Sequence, residues 1–156
     1  MRRQLLTLAT LVAVLGAPSA AAAATQTIKV TSVTISMIGH DVKPKGPSAG
    51  DSVTYRDRLL NAAARFGKKK GAVVGSDQGK LTYRTAHTAT FAGSVRLPGG
   101  TLQLSGAVYS TPGGGLVVPI VGGTGKYADA RGTLTVGPGR DHVLNTYSFT
   151  IKRPVA

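Results

Sequence analysis

The side chains able to do acid–base chemistry are few in this chain, and they fall in stretches where apolar and polar residues alternate. Asp57 follows Val53 and Tyr55 at two-residue spacing and precedes Leu59, so in a strand all four share one face. Tyr83 and His87 share a phase with Leu81 and Phe91, and Asn145 and Tyr147 share one with Val143 and Phe149. Arg131 closes a glycine-rich turn beside a strand end. A carboxyl on an apolar, buried face is pushed toward its protonated form, which makes Asp57 a candidate general acid. Tyr83 and Arg131 would then hold negative charge developing on a ligand oxygen. Tyr55, His87, Asn145 and Tyr147 are the other polar groups that such a face would turn toward a ligand. A competing reading pairs Asp57 with a neighbouring Arg or tyrosine hydroxyl as a satisfied buried group, which is the rule in folded proteins.

Other chemistries lack their residues. The chain has no cysteine, which removes thiolate metal sites and thiol nucleophiles. His40, His87 and His142 lie 47 and 55 residues apart with no close carboxylate pattern, so no metal signature forms and no metal is expected. No G-x-S-x-G turn is present for serine hydrolysis. A phosphate loop would need Ser or Thr after Lys126, where this chain has Tyr127, and no other cofactor motif is found. The glycines of that segment are read as turn residues, needed where the chain reverses closely on itself.

The elements that must position these groups are strands. Thr, Val and Gly dominate, helical periodicity is nearly absent, and turn dipeptides recur, which makes the class all-β. From Thr27 to Gly39, Ile28 and Val30 alternate, then Val33, Ile35 and Met37 alternate in the opposite phase, which predicts a bulge near Thr31 or Ser32. A loop over Asp41 to Gly50 precedes a strand from about Asp51 to Leu60. Ala72 to Ser76 reads as a short strand, and Leu81 to Phe91 as one continuous strand. Leu97-Pro98-Gly99-Gly100 marks a hairpin into Thr101 to Tyr109, and Pro112 through Gly115 marks a further turn. Strands follow at Leu116 to Val121, Gly132 to Val136 and His142 to Lys152, with one helical turn at Lys126 to Ala130. Eight or nine strands in one domain suit a sandwich or a barrel, and length alone does not separate the two.

Residues 1–24 read as a signal peptide, with Arg2 and Arg3 before an apolar run from Leu5 to Leu15 and an alanine-rich end. That run is too short for a membrane span, which needs about 20 residues. A domain over 25–156, secreted and without disulfides, is the expected mature form. It keeps 17 basic residues against six aspartates and no glutamate, a net charge of +11. Such an excess draws a protein toward anionic cell-wall polymer, nucleic acid or acidic lipid, or simply forms a solvated surface. Few aromatics and no recognised motif argue against nucleic acid. The basic cluster Arg65, Lys68, Lys69 and Lys70 is expected in a mobile loop.

The stretch Pro119-Ile120-Val121-Gly122-Gly123-Thr124-Gly125-Lys126-Tyr127-Ala128-Asp129-Ala130-Arg131-Gly132 resembles the glycine-rich signature of dirigent proteins and of bacterial allene oxide cyclase-like barrels. Gly50-Asp51 before a strand ending in Asp57-Arg58-Leu59, Val74-Gly75, Gly79 and Leu97-Pro98-Gly99-Gly100-Thr101-Leu102 before Gly106 agree with it in order and spacing. The resemblance implies an eight-stranded antiparallel calycin-like β-barrel with a central cavity, and self-association into homo-oligomers. In plant relatives it implies either cyclisation of an allene oxide fatty acid, an isomerase reaction, or guidance of phenoxy-radical coupling. It links an early aspartate, a tyrosine and an arginine after the signature to activity; Arg131 matches by position, Asp57 and Tyr83 more loosely. The expected function is binding of a small apolar or phenolic ligand, with cyclisation or coupling. The alternative is a filled, non-catalytic barrel that holds anionic cell-wall polymer on its basic surface.

Overall fold

The computed structural model describes residues 24–137 and 144–153. Residues 1–23 of the expected signal peptide, and His142 and Val143 of the last expected strand, lie outside them. Eight strands, β1 (Ala24–His40), β2 (Ser52–Asn61), β3 (Val73–Tyr83), β4 (Ala89–Leu97), β5 (Gly100–Ser110), β6 (Leu116–Gly123), β7 (Arg131–Gly137) and β8 (Leu144–Arg153), follow one another around a closed barrel. Every neighbouring pair is antiparallel, and β1 closes the ring by pairing with β2 on one side and β8 on the other. Closure answers the choice between sandwich and barrel, and it removes the sheet edges that an open antiparallel sheet would leave unpaired.

Alternation sets the inside. Ile28, Val30, Leu59, Val95, Leu102, Phe149 and Ile151 are fully buried, each contributing roughly 1.5–3 kcal/mol over the exposed state. They fill one end of the barrel. There a 3₁₀ turn, Gly125–Tyr127, folds across the β4–β5 hairpin: Lys126 N donates to Gly99 O at 2.8 Å, Thr124 N to Thr101 O at 2.8 Å, and buried Tyr127 reaches Pro98 O through its hydroxyl at 3.3 Å. The expected helical turn at Lys126 to Ala130 is this 3₁₀ turn. Its glycines are demanded by contact: a Cβ on Gly125, which has φ +57°, would lie 2.3 Å from Gly99 O, and one on Gly132 1.9 Å from Thr150 O.

Three local expectations are corrected. The β1 irregularity falls between Thr34 and Ser36, so Ser32 keeps the inward phase of Ile28 and Val30, and Ile35 becomes the extra, exposed residue. Leu81 to Phe91 is two strands joined by a turn in which Arg84 N donates to Thr88 O at 2.7 Å and Thr85 Oγ1 accepts from the amides of His87 and Thr88. The short strand at Ala72 to Ser76 continues to Tyr83, because the outward residues Ser76, Gln78 and Lys80 are polar while Gly75 and Gly79 give no apolar signal inward. The basic cluster after β2 forms a tight hairpin: Arg65 and Lys68 exchange backbone hydrogen bonds, and buried Asn61 donates to the carbonyls of Arg65, Lys68 and Lys69.

Candidate active site

The end of the barrel opposite the 3₁₀ turn holds a cavity of about 360 Å³. Its wall is mostly apolar, from Met37, Val53, Leu81, Phe91, Val118 and Leu134, and its polar groups are Tyr55, Asp57, Asn145 and Tyr147 with Thr34. The room exists partly because β3 and β4 carry Gly79 and Gly93 in register, and the Phe91 ring lies over both: a Cβ on Gly79 would fall 2.2 Å from that ring. Tyr55 stacks on Phe91 with centroids 6.0 Å apart, and Tyr147 meets Phe149 edge-on at 6.1 Å.

Asp57 sits at the inner limit of this cavity and is 2% exposed. Its Oδ2 accepts hydrogen bonds from Ser32 Oγ and from the Tyr147 hydroxyl, the latter at 2.9 Å, while Oδ1 has no partner among the described residues. The register places Asp77 directly opposite it on β3, 3% exposed, with neither carboxyl oxygen in a hydrogen bond. Burial and then the neighbouring charge of Asp57 push the Asp77 carboxyl up to about 7; the Tyr55 and Tyr147 hydroxyls favour its charged form without reversing that. Burial, followed by nearby acidic groups, likewise raises both tyrosines, Tyr55 chiefly against the Asp77 charge and Tyr147 against Tyr55 and Asp77, so both remain neutral donors. Asp77, a carboxyl pushed toward its protonated form, and the neutral hydroxyls of Tyr55 and Tyr147 thus surround Asp57, the one carboxyl among the described residues that lines the cavity. Such a grouping is suited to supplying a proton to a ligand oxygen.

The model of the allene oxide cyclase barrel-like domain matches residues 31–149. The chain belongs to that family. Solved structures of similar shape include a pyocyanin demethylase (TM-score 0.66, 22% identity, covering 81% of this chain and 99% of that one). A pterocarpan synthase dirigent protein matches with TM-score 0.65 at 16% identity, covering 94% and 98%. The Diels–Alderase AbmU from Streptomyces koyangensis matches with TM-score 0.65 at 22% identity, covering 84% of this chain and 64% of that one. At these identities the likeness is one of fold. No curated protein matches the chain by sequence.

This allene oxide cyclase-like barrel brings Tyr55, Asp57, Asn145 and Tyr147 together on the cavity wall. It does not bring the others there. Tyr83 keeps the inward phase of Leu81 but lies at the end of β3, half-buried and outside the cavity lining. His87, expected on an inward face, stands exposed in the β3–β4 turn, because the Thr85 side chain caps that turn and ends the alternation. Arg131 starts β7 at the filled end; it is exposed, and its guanidinium donates to Ala130 O at 2.9 Å. Sequence reasoning missed Asp77 and Ser32. Asp77 sits in a polar, glycine-containing run, and its cross-strand pairing with Asp57 was the missing signal; Ser32 lay where the bulge was expected.

Proposed function

We propose that this barrel takes a small apolar or phenolic ligand into its cavity and assists an intramolecular ring closure by proton transfer from the Asp57–Asp77 pair. The observation that carries this is a buried carboxyl with an unpartnered oxygen at the floor of an otherwise apolar cavity. Apolar walls with few convergent polar groups are what small-molecule sites share. The Ser32 and Tyr147 hydrogen bonds hold Asp57 in one orientation, and Tyr55 with Asn145 would receive the polar edge of a ligand. In such a closure the proton given to a ligand oxygen is recovered from the product, so the step is an isomerisation and consumes no second reactant. Similar folds in a pterocarpan synthase dirigent protein and a Diels–Alderase support small-molecule chemistry in this kind of barrel. Export is part of the same reading and rests on the leader-like residues 1–24.

The test is a native mass-spectrometry and thermal-shift screen with unsaturated fatty-acid epoxides and phenolics, on wild type and Asp57→Asn. The expected result is a stabilising ligand from one class, bound by both proteins but converted only by wild type. Absence of any bound ligand from either class would remove the proposal.

A further inference from the structure

The outward faces of β2 to β5 form rows fixed by the register. Arg58 pairs with Ser76, Ser76 with Arg96 and Arg96 with Thr101; two residues along, Arg56 pairs with Gln78, Gln78 with Ser94 and Ser94 with Gln103. Ser76 thus lies between two long guanidinium side chains, and Ser94 between two glutamines. The result is a trough of about 310 Å³ floored by Ser76, Gln78, Ser94 and Thr101 and edged by Arg56, Arg96 and the bulge residue Ile35, with the strand residues Asp57 and Asp77 also in its lining.

Charge on this wall is of one sign. Arg56, Arg58, Lys80 and Arg96 point outward, while the aspartates of the same strands, Asp57 and Asp77, point inward and are buried. Asp51 is occupied by the amides of Val42 and Ser48 in the loop before β2. Among the described residues, the three arginines of the wall have no ion pair or hydrogen-bond partner. Unpaired cations on a surface where the only carboxyls in the lining, Asp57 and Asp77, are buried raise the local potential, and guanidinium groups grip phosphate or carboxylate through paired hydrogen bonds. Strands spaced about 4.8 Å apart set Arg58 and Arg96, two strands apart, at roughly 10 Å, a separation that successive anionic groups of one chain can bridge. The floor offers hydroxyl and amide groups suited to a polyol backbone. It offers no aromatic ring, which single-stranded nucleic acid uses for stacking.

We infer that this outer wall is a second binding site, for a linear anionic polymer carrying phosphodiester or carboxylate groups on a hydroxyl-rich backbone. Asp57 lies in the lining of both, but the arginines that carry the outer site take no part in the cavity wall.

The experiment measures binding of the full barrel to immobilised poly(glycerol phosphate), polygalacturonate and poly(dT), at about 50 and about 500 mM salt. Wild type is compared with Arg56→Ser/Arg96→Ser and with Lys69→Ser/Lys70→Ser, which removes the same charge from the exposed hairpin. Circular dichroism and the melting midpoint check that both variants fold. The expected result is salt-sensitive binding to one or both polyol polyanions, weakened about tenfold or more by the arginine pair and less than about twofold by the lysine pair. The two polymers separate a phosphate source from a uronate source. Equal losses in the two variants would show that only net charge matters and overturn the site. So would preference for poly(dT), or no binding to any of the three.

Discussion

At the scale of the residue, two buried carboxyls and the hydroxyls around them set the chemistry of the hollow end. Tyr147→Phe removes the donor to Asp57 Oδ2 and leaves Ser32 as its one hydrogen-bond partner among the described residues. A loss of about 1–3 kcal/mol in unfolding free energy is expected, read by urea denaturation, together with slowed conversion of any substrate found. The Asp77 carboxyl, held near 7 against a usual value of 3.8, keeps its proton in the folded barrel where the unfolded chain has already released it. Its contribution is therefore most favourable at low pH and is lost as pH rises from about 4 through about 7. The melting midpoint of wild type should fall over that range, and Asp77→Asn should flatten the fall; a steeper fall in the variant would contradict this. Acid-assisted turnover should decline over the upper part of the same window. Tyr55, Asp57 and Tyr147 were legible because each interrupts a clear apolar phase. Asp77 was not, because its neighbours in phase are glycines, whose inward faces carry no hydrophobic signal.

At the scale of the element, glycine and asparagine decide where strands end and how closely they approach. Gly132→Ala would place a Cβ against the Thr150 carbonyl at a positive φ, so a cost of at least about 2 kcal/mol is expected in the same denaturation assay. Asn61→Ala would leave three carbonyls of the Arg65–Lys69 hairpin without their shared donor. Faster amide exchange confined to that hairpin and the adjoining end of β2 is expected, with a global loss of about 1–3 kcal/mol. Most strands were readable from two-residue alternation. Where it misled, the cause was local: in Leu81 to Phe91 the alternation of types runs on through a turn whose Thr85 side chain does the capping, and in β1 an opposite apolar phase after the bulge hid the position of the extra residue.

At the scale of the whole molecule, the barrel divides into a filled end and a hollow end. The glycine-rich signature belongs to the first, where it packs the 3₁₀ turn on the β4–β5 hairpin, and the acid–base groups belong to the second. A family resemblance carried in that signature therefore reports the fold, and the chemistry has to be read from the other end of the same strands. The direct measurement of that division is ligand binding to a barrel whose cavity has been filled. Val118 lines the cavity and is 4% exposed, so Val118→Trp projects a large ring into it while leaving Asp57, Tyr147 and the outer wall unchanged. Isothermal titration with the ligand selected by the screen, or with 1-naphthol as a neutral phenolic probe, should show binding to wild type and at least a tenfold loss in a Val118→Trp protein that still melts cooperatively. Undiminished binding to the filled barrel would contradict the assignment of the cavity as the ligand site.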